Sequence, residues 1–348
     1  MRIAPIAIAA ALIVALPPSN APACCAVSRA VDQVVNADQT VIIWWDAEKK
    51  TQHFIRQASF KSDADEDIGF IVPSPNEPEL EEAGDAAFER LRWITAAKAP
   101  SRGFCIGCRA SGESSPQVAS VEVLQSKRVA GFDAVVLKAS TADALVSWLA
   151  ENEFAYSDSV AAWAKPYVAR GWAFTALKVA KGEDPAVRSA AALRISFQAD
   201  APLFPYREPE SAAAAKALGV KDRLLRIYFI SDQAYEGHFE NGASWSGKKV
   251  YSDVLDGNEA NELLRLLNIG TPKERADRRL AGERFLWLTE FEDHWPYTAA
   301  PGDVIFSPAK DQSRLIRTAS ASVDPLWFVV IGGGAAFLAW RRIRPRSA

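Results

Sequence analysis

The residues whose types could do chemistry fall into a few groups. Cys24, Cys25, Cys105 and Cys108 are the only thiols in 348 residues. An even number of cysteines in an exported chain points to disulfides, and four allow three connectivities. Pairing one of Cys24/Cys25 with each of Cys105/Cys108 would staple the mature N-terminus to the segment 99–117. A redox centre at Cys105-Ile106-Gly107-Cys108 is the sharper alternative, but redox C-x-x-C motifs open a helix after a strand. Gly103, Gly107 and the Ser-Gly-Glu-Ser-Ser-Pro that follows predict a loop instead. A four-thiolate metal site would need two tetrahedral ligands from the adjacent Cys24 and Cys25, which their adjacency opposes. Asp63, Asp65, Glu66 and Asp67 offer oxygen ligands for calcium, yet the run lacks the glycine turn and distal bidentate glutamate of a defined loop. It reads as a solvated loop. Glu290, Glu292, Asp293 and His294 supply acid/base groups, and Ser244-Trp245-Ser246-Gly247 a loose nucleophile. No G-x-S-x-G, H-E-x-x-H or phosphate loop accompanies them. The three histidines (His53, His238, His294) stand in unrelated contexts. These patterns assign no catalytic, cofactor-binding or metal residue, and no cofactor is expected.

The elements that must position these groups are most legible over residues 132–179, read as the organising unit. The apolar run Phe132–Leu137 predicts a strand. A helix capped by Ser140 or Thr141 then places Leu145, Trp148 and Leu149 on one face. A second helix from Ser157 repeats Val160, Trp163, Ala164, Tyr167 and Val168, with Pro166 predicting a kink or restart and Gly171 a C-terminal glycine cap. Trp172–Val179 alternates as a strand. Residues 40–46 and 51–60 flank a polar turn and predict a hairpin. Ile68–Val72 predicts a short strand stopped by Pro73, and Asp85 caps a helix that points Phe88, Leu91 and Ile94 or Thr95 inward. Further strands are expected at Val118–Leu124, Leu193–Phe197, Leu224–Ile230 and Arg284–Leu288, and helices at Ser211–Leu218 and Asn258–Leu267. Gly237–Lys249 is polar and glycine-punctuated, hence loop. This mixed order predicts an α+β fold, mostly antiparallel sheet with packed helices, and no internal repeat.

Half the residues are hydrophobic (49%), 24% are charged and net charge is −3, which is ordinary for a globular chain and leaves no electrostatic footprint for nucleic acid. The two ends carry topology. Arg2, the apolar Ile3–Leu16, a Pro-Pro-Ser-Asn break and Ala21-Pro22-Ala23 predict a signal peptide over 1–23. Acylation at Cys24 is disfavoured by Ala21 and Pro22. Pro325–Trp340 has no charge across sixteen residues, carries Trp327 and Trp340 at its ends and is followed by Arg341, Arg342, Arg344 and Arg346. At 1.5 Å per residue it reaches about 24 Å, short of the ~30 Å hydrocarbon core. Snorkelling arginines and bilayer thinning absorb the difference. The expected order is signal peptide 1–23, exported region 24–317, linker 318–324, transmembrane helix 325–340 and a basic cytoplasmic tail 341–348. A division of the exported region into two subdomains would fall near 118 or 200.

Several stretches resemble the bacterial family catalogued as domain of unknown function 2330. They are the cysteine pair at the mature start, Asp65-Glu66-Asp67-Ile68-Gly69-Phe70-Ile71-Val72-Pro73-Ser74-Pro75, Val135-Val136-Leu137-Lys138 with the helix Ala144–Leu149, Pro166-Tyr167-Val168 with Gly171–Phe174, and Leu286–Glu290. The resemblance covers nearly the whole exported part. It implies export, often with a membrane anchor, and carries no activity over to these residues. The expectation is a non-catalytic, membrane-anchored binding or scaffold module on the periplasmic side of the cytoplasmic membrane. Its partners would be the bilayer through 325–340 and an unidentified envelope protein, with a hydrolase using scattered carboxylates and a redox protein using Cys105/Cys108 as alternatives.

Overall fold

The run Val41–Trp45 has no polar residue, so as a strand it needs cover on both faces. The computed structural model describes residues 25–27, 39–57, 69–97, 122–154, 159–179, 191–209, 222–274, 286–296 and 300–317. All but Ala96, Ala97 and Arg317 of these belong to one compact unit, residues 1–95 with 107–316; the second unit, 96–106 with 317–348, lies almost wholly outside the described residues. Its strands are β1 Cys25–Val27, β2 Gln39–Asp46, β3 Thr51–Gln57, β4 Gly69–Ser74, β5 Glu79–Gly84, β6 Glu122–Val129, β7 Phe132–Lys138, β8 Ala173–Val179, β9 Ala191–Gln198, β10 Leu203–Phe204, β11 Asp222–Ser231, β12 Tyr235–Phe239, β13 Lys248–Leu255, β14 Leu286–Pro296 and β15 Val304–Pro308. Among the described residues the helices are α1 Ala86–Thr95, α2 Ala142–Glu151, α3 Val160–Ala169 and α4 Gly257–Leu266.

Three sheets result, ordered β13-β14-β11-β2-β3-β9-β5, β1-β4-β8-β7-β6 and β10-β15-β12. Among the described residues every pairing is antiparallel except β11 with β2, in keeping with an α+β fold of mostly antiparallel sheet. The seven-stranded sheet has a core on each face. Val41, Ile43, Trp45 and Phe54 join the side chains of the other two sheets and of α2 and α3, while Ile42, Trp44 and Ile55 pack with Phe88, Leu91 and Leu263 of α1 and α4. Trp44 and Trp45 thus serve opposite faces, as period-two geometry demands. The sheet, rather than residues 132–179, is the hub. Buried Gln52 ties β3 to β10: its amide donates to the Leu203 carbonyl at 2.8 Å and accepts from the Leu203 N–H at 2.7 Å.

Residues 132–179 do form the expected strand–helix–helix–strand unit, and β7 and β8 are neighbours. Thr141 caps α2, its hydroxyl accepting from Ala144 N–H at 3.0 Å. α3 starts at Val160 with Ser159 before it and runs unbroken through Pro166. Burial of Trp163, Ala164 and Tyr167 outweighs the roughly 3 kcal/mol that an interior proline costs. Gly171, at φ +69°, closes α3 in a Schellman motif: Trp172 N–H donates to the Tyr167 carbonyl and Gly171 N–H to that of Val168.

Other expectations are corrected. Pro73 does not stop its strand but lies inside β4, opposite Phe174 of β8. Gly237–Lys249 is not all loop, since β12 and the start of β13 fall within it. Arg284–Leu288 is too short a reading: β14 continues to Pro296, and β15 follows. Strand β6 ends at Val129 rather than Leu124.

Candidate functional site

The sequence candidates 290–294 all lie on β14, so their side chains alternate between the two faces of the seven-stranded sheet. On the face covered by α1 and α4, Arg226 of β11 reaches both Glu290 (Nε–Oε1 2.7 Å) and Glu292 (Nη2–Oε1 2.8 Å). The register explains this, because Arg226 sits opposite Glu292 and Tyr228 opposite Glu290. Burial, with the Glu290 charge, pushes the Tyr228 hydroxyl up to about 12. His294 is exposed at the strand's end, opposite Leu224.

On the opposite face Asp293 is 1% exposed and accepts three hydrogen bonds. Tyr206 OH donates to Oδ2 at 2.7 Å, Trp245 Nε1 to Oδ2 at 2.9 Å and Ser246 Oγ to Oδ1 at 2.7 Å. Burial and this hydrogen bond push the Tyr206 hydroxyl well above its ordinary range. The Trp245 ring lies against two glycine backbones. A Cβ on Gly237 would sit 2.6 Å from its Cε3, and one on Gly247 2.4 Å from its Cη2. Phe291, Phe306 and Tyr206 complete the aromatic surround. Ser246 is therefore one donor in a saturated carboxylate shell. Both oxygens of Asp293 are thus engaged by internal donors.

A second polar centre went unread in the sequence. Asp303, 0% exposed and immediately before β15, accepts from Tyr167 OH at 2.9 Å and from Arg207 N–H at 3.2 Å, with Arg207 Nη2 3.5 Å away. Arg207 and Arg170 share Glu240, whose carboxylate meets Arg170 Nη1 at 2.6 Å and Arg207 Nη2 at 3.3 Å. Desolvation raises the Asp303 carboxyl above its usual range even though Arg207 opposes it. The cluster fastens α3 to the three-stranded sheet, and each charge in it has an internal counterpart.

The structure also brings together one serine and one histidine that lie 143 residues apart, across the pairing of β3 with β9. His53 Nδ1 and Ser196 Oγ are 2.8 Å apart, Arg194 Nη1 lies 3.5 Å from the same nitrogen, and Arg194 pairs with Glu81. An arginine can only donate, so it favours an unprotonated Nδ1 that accepts from the serine. Ser196, however, is 7% exposed.

Of the cysteines, Cys25 stands in β1 opposite Ile71, while Cys24, Cys105 and Cys108 lie outside the described residues, as do Asp63–Asp67. Among the described residues no group of three His, Cys, Asp or Glu side chains could hold a metal, and no helix is long and apolar enough to cross a membrane; the segment 325–340 falls outside them.

Compared with known families, residues 17–303 match the model described as "Uncharacterized protein conserved in bacteria (DUF2330)". The chain belongs to this family. No curated protein and no solved structure matches it. The DUF2330 match contains the Asp293 and Asp303 centres and ends at Asp303, one residue before β15, although β15 is the middle strand of its sheet.

Proposed function

We propose that this DUF2330 protein is an exported, membrane-tethered module that binds or holds another envelope component and does no chemistry of its own. One observation carries the reading: the carboxylates best placed in sequence for catalysis are spent inside the fold. Glu290 and Glu292 are engaged by Arg226, and Asp293, on the other face of β14, is saturated by three donors. The apolar, arginine-flanked segment 325–340 and the leader 1–23 support the tether and the extracytoplasmic side. With the full-length protein, alkaline carbonate should leave it in the membrane pellet, and protease added to spheroplasts should digest it. Release by carbonate would sink the tether, and protection from protease the orientation.

The His53–Ser196 contact favours one second reading, a hydrolase in which Ser196 is the nucleophile and His53 its base. A fluorophosphonate probe decides between the two. Labelling that is lost in both Ser196→Ala and His53→Gln, with the folded spectrum intact, would replace the binding reading. An unlabelled wild type, with no turnover in a hydrolase screen, supports it.

A further inference from the structure

We propose that Leu315 and Ile316 form a lipid-contacting surface that seats the exported unit on the bilayer holding its anchor. The proposal rests on the tethered reading above. Past β15 the chain returns to the open edge of β13, where Ser252 N–H donates to the Leu315 carbonyl and Leu315 N–H to the Ser252 carbonyl, both at 2.7 Å. Beside it Arg314 Nε meets Asp253 Oδ1 at 3.1 Å. The chain is therefore fixed to the sheet up to this point, and the position of Leu315 and Ile316 is set by the fold.

Both are exposed, Leu315 at 40% and Ile316 at 46%; among the described residues only Trp93, on α1, is another large apolar side chain so exposed. Successive residues of an extended chain point to opposite sides, so a single groove on one partner protein would cover one and leave the other wet. The boundary between headgroups and acyl chains surrounds a strand end and takes both. Between Ile316 and Pro325 lie eight residues, 317–324, at most about 28 Å when extended. Two half-exposed aliphatic side chains are too little apolar area to recruit a free protein to lipid. A tether this short holds them at millimolar effective concentration against the surface, where a weak preference is enough. Arg314, 64% exposed in its side chain, adds attraction to anionic headgroups.

The test uses full-length protein in vesicles, with benzoylphenylalanine replacing Ile316 in one sample and Ser313, exposed and polar three residues earlier, in another. After irradiation, lipid adducts should be at least fivefold more abundant at 316 than at 313, and greater with phosphatidylglycerol than with phosphatidylcholine alone. Equal labelling at the two positions, which nearness through the tether alone would give, overturns the seat. So does an adduct to a second polypeptide in native membranes. Carbonate extraction of the same samples separates the cases: protein lost to the supernatant refutes the tether, whereas protein retained without preferential labelling refutes this surface only.

Discussion

Asp293 is the position where a structural and a catalytic role are most easily told apart. Replacing it with alanine leaves three donors without their acceptor, and two of them, Tyr206 OH and Trp245 Nε1, are in buried side chains. Each buried donor left unsatisfied costs about 1–3 kcal/mol, while the exposed Ser246 hydroxyl turns to water at little cost. The sum is about 4 kcal/mol. At about 2.1 cal/mol/K per residue, a unit of roughly 300 residues has an unfolding entropy of about 0.6 kcal/mol/K, so Tm should fall by about 6 °C. Asp293→Asn keeps the shape and can still accept from two of the donors, so it should lose only the charge assistance, about 1–2 kcal/mol. Thermal melts followed by circular dichroism at one pH and protein concentration measure both. An alanine variant within about 1 °C of wild type, or an asparagine variant as damaged as the alanine one, would refute the reasoning, because neither fits a carboxylate held for its three acceptor contacts.

Gly247→Ala should destabilise by about 1–3 kcal/mol through overpacking, since the new methyl meets a Trp245 ring fixed by Asp293. In urea titrations it should cost more than Gly257→Ala, where a Cβ meets nothing within 4 Å and φ is not positive. Asp85, ahead of α1, has its carboxyl raised by burial from 3.8 to about 6, with Glu89 adding to the effect. An acid whose folded pKa exceeds its unfolded value binds more protons when folded, so its contribution to stability falls as pH rises from about 4 to about 6. The full shift would correspond to about 3 kcal/mol, and partial exposure reduces this to about 1 kcal/mol. Asp85→Asn should therefore gain about that much at pH 7 and nothing at pH 4, and an equal gain at both pH values would exclude ionisation as the cause. Non-reducing peptide mapping should link Cys105 or Cys108 to Cys24 or Cys25, and four alkylatable thiols in freshly isolated protein would rule the disulfides out.

What could be read from the sequence was local. The hairpin β2–β3, the Thr141 cap, the apolar face of α3 and the Gly171 closure each depend on residues a few positions apart, and each stands as expected. β5 was missed because Glu-Leu-Glu-Glu-Ala-Gly has little strand propensity, and it is a strand by virtue of pairing with β9. β12 was hidden by Gly237, whose missing side chain makes room for Trp245 and only looks like a turn. In β13 the register shift between Lys249 and Tyr251 breaks the alternation that would have marked it. The Asp303 centre had no local signal, since Tyr167 and Asp303 are 136 residues apart.

The acid/base group at 290–294 shows how one misplaced boundary changes a functional reading. With the strand ended at Leu288, nothing would fix which of Glu290, Asp293 and His294 share a face. Because β14 runs on to Pro296, parity decides instead. Even-numbered Glu290 and Glu292 face Arg226, and odd-numbered Asp293 faces Tyr206 and Trp245 through the other side of the sheet. No side-chain rotation brings Glu290 and Asp293 together across a hydrogen-bonded sheet, so a mechanism that pairs these two carboxylates is closed by backbone geometry, while Glu290 and Glu292, which do share a face, are both engaged by Arg226. His53 and Ser196, by contrast, meet from two different strands, and the probe experiment addresses that pair directly.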